Sequence, residues 1–123
     1  MDESAARNAL ELERQTTLAR IQSMRRDFEA IVSAAVDSNA DDEHDPEGST
    51  IAYDRAQTAA LLSEAQEYLG EIDQAFDRLA NGRYFNCAVC GAHIAAERLS
   101  ARPAARSCIQ CASSTGTDRI DSR

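Results

Sequence analysis

Apolar and small residues recur along the first third of the chain in alternating steps of three and four. Leu10, Thr17, Ile21, Met24, Phe28, Ile31 and Ala35 keep this rhythm once Arg14 is admitted as one polar member. A seam of that period predicts a long helix packed against another helix. The stretch from about Ser4 to Val36 contains no Pro or Gly and is dominated by Ala, Leu, Glu, Arg and Gln, which suit a helix. A second segment, from about Thr50 to Leu79, repeats the pattern. Ile51, Thr58, Leu62, Ala65, Leu69, Ile72, Phe76 and Leu79 share a face, with Arg55 as the polar gap. Gly70 interrupts it at a cost of roughly 1 kcal/mol, which packing is expected to offset. Two helices of similar length joined by a short polar segment fold back antiparallel. Each arm would be roughly 45 Å long at about 1.5 Å per residue. The predicted fold is therefore small and all-α: an antiparallel two-helix coiled-coil hairpin over residues 1–81, then a second module.

Between the two periodic segments lies "DDEHDPEGS". Asp41, Asp42, Glu43, Asp45 and Glu47 crowd together there without a basic residue, followed by the breakers Pro46 and Gly48. Residues 38–50 are the expected tip of the hairpin. Taken alone, such a charge run reads as a solvated loop. At the other end of the second segment, "NGR" at Asn81–Arg83 supplies the left-handed backbone that closes a helix.

The composition changes at this point. Residues 1–81 hold 7 Arg and 18 acids, net −11, whereas residues 82–123 hold 6 Arg and 3 acids, net +3. An acidic arm on a mildly basic head opposes the wrapping of duplex DNA. There is no long apolar run for a membrane span, and the charged N-terminal segment lacks a secretory core, so a cytoplasmic protein is expected. No Ser/His/Asp set and no phosphate-cradling glycine loop suggests an enzyme.

The strongest chemical signal is "CAVCGAHIAAERLSARPAARSCIQC". Cys87 and Cys90 form one C-x-x-C pair and Cys108 and Cys111 the other, with 17 residues between the pairs. Two intervening residues let one tight turn aim both thiolates at a single ion, and the spacing between pairs is that of a structural zinc site. Four thiolates could also hold an iron–sulfur cluster. A redox C-x-x-C would need a βαβ setting that is absent. His93 follows a completed pair and is read as a surface residue. One structural Zn²⁺ would make binding energy the folding energy of a module spanning residues 82–112. Residues 113–123 have no apolar periodicity and are expected to form a flexible tail.

The string Cys87, Cys90, Gly91, Ile94, Arg98, Leu99, Ala101, Arg102, Pro103, Cys108 and Cys111, placed after a long helical hairpin, resembles the DksA/TraR family of bacterial zinc-finger proteins. The resemblance covers about residues 40–112 well, and the first helix by pattern. It implies a regulator that binds RNA polymerase and inserts its coiled coil into the secondary channel to modulate initiation, without sequence-specific DNA contact. It implies that the tip acids Asp41, Asp42, Glu43, Asp45 and Glu47 act near the catalytic magnesium, and that Arg98 and Arg102 dock on the channel rim. The family tip carries Asp-x-x-Asp before Ala. Aligning it on Asp45 leaves Gly48 at the second Asp, and Asp54-Arg55-Ala56 offers another register. Relatives that answer to ppGpp use basic residues at the neck and finger. Arg102 matches one, but Ala112 stands where Lys is expected and the neck around Glu71 is acidic, so no ppGpp response is expected. A monomer without membrane contact is expected. Two other readings stay open: a zinc ribbon that binds nucleic acid by stacking bases on Tyr84 and Phe85, and a coiled-coil adaptor.

Overall fold

The structure is a computed structural model. It describes residues 1–41 and 46–114, without the side chains of residue 35, residues 37–41 and residues 46–49. Four helices follow one another: α1 (Glu3–Asp41), α2 (Pro46–Ala80), α3 (Ala96–Ala101) and α4 (Ile109–Ser114). No strand is present among the described residues, only an isolated antiparallel bridge between Asn86 and His93. The protein is thus mostly helical, with α1 and α2 packed together as a hairpin ahead of a four-cysteine module. No helix among the described residues is long and apolar enough to cross a membrane.

Both long helices extend beyond the limits that the breakers suggested. Residues 37–41 continue α1 and residues 46–49 already belong to α2. The physical reason at the second helix is Pro46. At the first helical position its missing N–H is one that no carbonyl would have received, and its fixed φ suits the helix. A residue taken for a terminator therefore starts an element. At the start of α1, the Asp2 carboxylate accepts a hydrogen bond from the Ala5 N–H at 2.8 Å, a side-chain cap on an otherwise unsatisfied donor.

The chain divides into two compact units. One is Gln15–Leu69, the other Met1–Arg14 with the chain from Gly70 onward. In the first, Thr17, Ile21 and Ala65 are buried, and Met24, Phe28, Ile31, Ile51, Thr58, Leu62 and Leu69 are half-buried. These are the seam positions read from the sequence. In the second unit Ala6, Leu10, Ile72, Ala75 and Leu79 are buried on the same stripes. Arg14, the polar seam member of α1, pairs with Asp73 of α2. Both partners are substantially exposed, so the pair contributes about 0–1 kcal/mol at most. Its effect is on register, because a charged side chain within a seam has few acceptable partners.

No close approach of neighbouring atoms requires glycine at position 70. A Cβ built there meets nothing within 4 Å. Gly70→Ala is accordingly expected to stabilise the protein by roughly 0.5–1 kcal/mol through helix propensity. Urea titration followed by circular dichroism checks this. A lower midpoint in the variant would mean that the glycine meets a constraint other than space.

Candidate metal centre

The four-cysteine module starts where α2 stops. The Gly82 N–H bonds the Leu79 carbonyl at 3.2 Å and the Arg83 N–H bonds the Arg78 carbonyl at 2.8 Å, with Gly82 at φ 74°. This paired closure uses a glycine in left-handed backbone to satisfy the last carbonyls of the helix. The chain then turns into Tyr84, which is fully buried. Its hydroxyl donates to the Pro103 carbonyl at 2.8 Å, so the ring fills the module and its polar end is satisfied. Burial raises the Tyr84 pKa, with the nearby Arg78 charge opposing. Phe85 packs edge-on to Tyr84 with centroids 5.0 Å apart, and lies parallel to the His93 ring at 6.4 Å.

Residues 85–94 form the first knuckle. The Ile94 N–H bonds the Phe85 carbonyl at 2.8 Å, and the Cys87 N–H bonds the Ala92 carbonyl at 2.7 Å. Between them the Gly91 N–H closes onto the Cys87 carbonyl at 2.9 Å, with φ 81°. An L side chain is strained in that backbone, hence glycine directly after Cys90. The N–H groups of Val89 and Cys90 point at the Cys87 sulfur, at 3.3 and 3.4 Å. The second knuckle uses a helix start instead. Cys108 precedes α4, its carbonyl accepts the Ala112 N–H at 2.9 Å, and Cys111 sits in the first turn.

Three tethers hold the knuckles together. The Ala88 N–H bonds the Arg106 carbonyl at 2.7 Å. Arg98 Nε donates to the Ser107 carbonyl at 2.7 Å, immediately before Cys108. One terminal nitrogen of Arg78 reaches the Ala105 carbonyl at 3.3 Å, from the last turn of α2. Burial lowers the Arg78 pKa, and Arg106 adds to this. The Ile94 and Leu99 side chains close the module beneath.

The result is four sulfurs within 4.8 Å of one another, with Cys90 Sγ and Cys108 Sγ 3.8 Å apart. A tetrahedral Zn²⁺ with bonds of about 2.3 Å requires edges of about 3.8 Å, so the cluster fits the ion. The electrostatics agree. Burial raises the Cys87 pKa, but the N–H groups of Cys90, Cys108 and Val89 outweigh it and bring the thiol to about 6. Cys111 is pushed up to about 12, first by its contact with the Cys108 side chain and then by burial. Thiols this close cannot all ionise without a cation, and a bound Zn²⁺ supplies one, releasing protons as it binds. Four thiolates close the coordination shell, which makes the site structural rather than catalytic.

His93 lies on the surface and outside this cluster. Arg102 is exposed at the end of α3, whereas Arg98 is half-buried on its tether to Ser107. The tip carboxylates of Asp41, Asp42, Glu43, Asp45 and Glu47, and the tail from residue 115, lie outside what the structure describes. The side-chain hydrogen bonds from Tyr84, Arg78 and Arg98 to carbonyls between Pro103 and Ser107 were not readable from the sequence. The only local hint was an arginine in the last turn of α2, where a cation meets free carbonyls.

Residues 82–115 match the prokaryotic dksA/traR C4-type zinc finger family. No match was found among curated proteins. Over 98% of its length the chain is similar in structure to transcription factor DksA2 from Pseudomonas aeruginosa, covering 89% of that chain, with a TM-score of 0.73 and 27% sequence identity. The four-cysteine module is thus a structural zinc finger of the DksA/TraR type, and the hairpin that precedes it is part of the same shared fold.

Proposed function

We propose that this protein is a bacterial transcription regulator that acts on RNA polymerase, inserting its acid-tipped hairpin into the secondary channel to modulate initiation. The observation that carries the reading is the likeness to a DksA transcription factor over nearly the whole chain, hairpin and finger together. A match confined to the finger would have allowed many other partners.

Electrostatics support the same reading. A net charge of −11 on residues 1–81, with five acids between Asp41 and Glu47, suits entry into a channel that leads to a magnesium ion and mobile cations. Attraction of this kind speeds encounter and weakens with salt. The protein makes no sequence-specific DNA contact, acts as a monomer and performs no catalysis of its own. Tyr84 is fully buried and Phe85 is half-buried beside Tyr84 and His93, so Tyr84 offers no face on which a base could stack. That favours a protein partner over single-stranded nucleic acid. Arg102 is the exposed docking arginine, and Arg98 supports it from within the finger. The acidic Glu71 on α2 and Ala112 in α4 leave ppGpp without the cations that would hold it.

Co-elution with core RNA polymerase at low salt tests the proposal. A complex that dissociates as salt rises is expected, and no complex at low salt would overturn it.

A further inference from the structure

The two long helices do not fully cover the seam between them. In the Gln15–Leu69 unit, Ile31 and Thr58 stay half-buried, and Leu61 beside them is 46% exposed. All three line a cleft of about 480 Å³ whose walls come from α1 and α2, together with Ala30 and Gln57. The remaining two lining residues are charged: Asp27 from α1 and Asp54 from α2. Neither carboxylate has an ion pair among the described residues. Arg26 and Arg55 are their neighbours in sequence. One residue turns a helix by about 100°, however, and neither arginine lines the cleft.

We propose that this cleft seats an amphipathic helix of a partner protein whose apolar stripe is flanked by arginine or lysine. The inference concerns the flank of the hairpin and does not rest on the polymerase reading. Charge complementarity selects the occupant. Two carboxylates brought to one cleft by different helices, with no cation of the chain's own, repel each other and attract a base. The apolar lining narrows the choice. A hydrated metal ion would engage the carboxylates and leave Ala30, Ile31 and Leu61 in water, and two exposed carboxylates lack the oxygen cage that a hard cation takes. Arginine and lysine bring a methylene stem for the apolar strip and a charged head for the carboxylates. Nucleic acid is repelled by both acids. A helix matches the shape, because the furrow beside two packed helices takes the ridge of a third, and that third helix would cover Ile31 and Thr58.

The probe is a blocked helical peptide of about 15 residues, with leucine at three- and four-residue spacing and arginine on either side of that stripe. It is titrated into the zinc-loaded full-length protein and followed by nuclear magnetic resonance. Saturable binding of one peptide is expected, with the largest shifts at Ala30, Thr58 and Leu61. The double variant Asp27→Asn/Asp54→Asn should bind roughly tenfold more weakly and with a flatter salt dependence. Leu61→Ser, which keeps every charge, should bind about threefold more weakly. All three positions are exposed, so the helix content by circular dichroism should not change. Should asparagine at these positions cost helix content, Gln57→Lys, which brings a cation of the chain's own to the cleft, carries the comparison with the same expected loss. Absence of saturable binding overturns the inference, as does binding that the variants reproduce. So does equal binding of a peptide with serine in place of leucine, which would mean attraction to the acidic arm as a whole. Self-association of the protein through the cleft that the peptide does not displace would give the cleft to a second copy, and would also overturn it.

Discussion

Removing zinc from the full-length protein is expected to unfold the finger and leave the hairpin helical. A segment of about thirty residues is too small to keep a core by itself, and a structural zinc supplies on the order of 10 kcal/mol, comparable to the whole stability of a domain. Cys111→Ser should have the same effect as chelation, because three thiolates no longer close the shell. The two parts can be followed separately. Tyr84 is fully buried in the finger, whereas Tyr53 is 66% exposed on α2. The Tyr84 part of the near-ultraviolet tyrosine dichroism should therefore be lost on chelation, while the part from Tyr68, half-buried on α2, and most of the far-ultraviolet helical signal persist. That signal comes chiefly from α1 and α2, of 39 and 35 residues. A metal-free protein that keeps the Tyr84 signal would refute a structural role for zinc. The chain from Gly70 onward forms one compact unit with Met1–Arg14, so some fraying of the adjoining helix ends is expected with the finger.

Neutralising the tip separates binding from effect. With Asp42→Asn, Asp45→Asn and Glu47→Gln combined, affinity for core RNA polymerase should stay within about threefold of wild type, since rim and tip charges act mainly on the encounter rate. On the proposed reading, in which these acids act near the catalytic magnesium, the effect of the wild-type protein on initiation should be lost. In vitro transcription with each protein at saturation reads this directly. A variant that binds normally and still alters initiation would place the working groups elsewhere, with Asp54 in the other register as the next candidate. A variant that no longer binds would show that the tip supplies affinity rather than output.

Much of this was legible in the sequence because it is encoded locally. The alternating seam named Leu10, Thr17, Ile21, Ala65, Ile72 and Leu79, all buried in the structure. Two C-x-x-C pairs named the four sulfurs that converge within 4.8 Å. Asn81 and Gly82 marked the end of α2, which stops at Ala80. What escaped depends on context or on distant contacts. Pro46 and Gly48 were taken as breakers of both helices, yet Pro46 opens α2, because a proline's missing donor costs nothing at a first position. The short α4 carries no buried residue and so leaves no apolar period to read. Arg98 has the composition of a docking residue, but its Nε is committed to the Ser107 carbonyl, a partner nine positions away that no local pattern announces. Tyr84 looked available for stacking on bases until the fold placed it against Pro103. Gly70 was read as a cost to α2, and the structure adds that a Cβ there would meet nothing within 4 Å.

The central claim is that the target is RNA polymerase. The most direct measurement is gel filtration of the zinc-loaded protein with core RNA polymerase at low ionic strength, followed by a salt titration of the complex. The account predicts co-elution at one copy per polymerase, with affinity that declines as salt rises and no dependence on promoter DNA. Elution of the two as separate species at low salt, with zinc bound and both long helices intact, would contradict it.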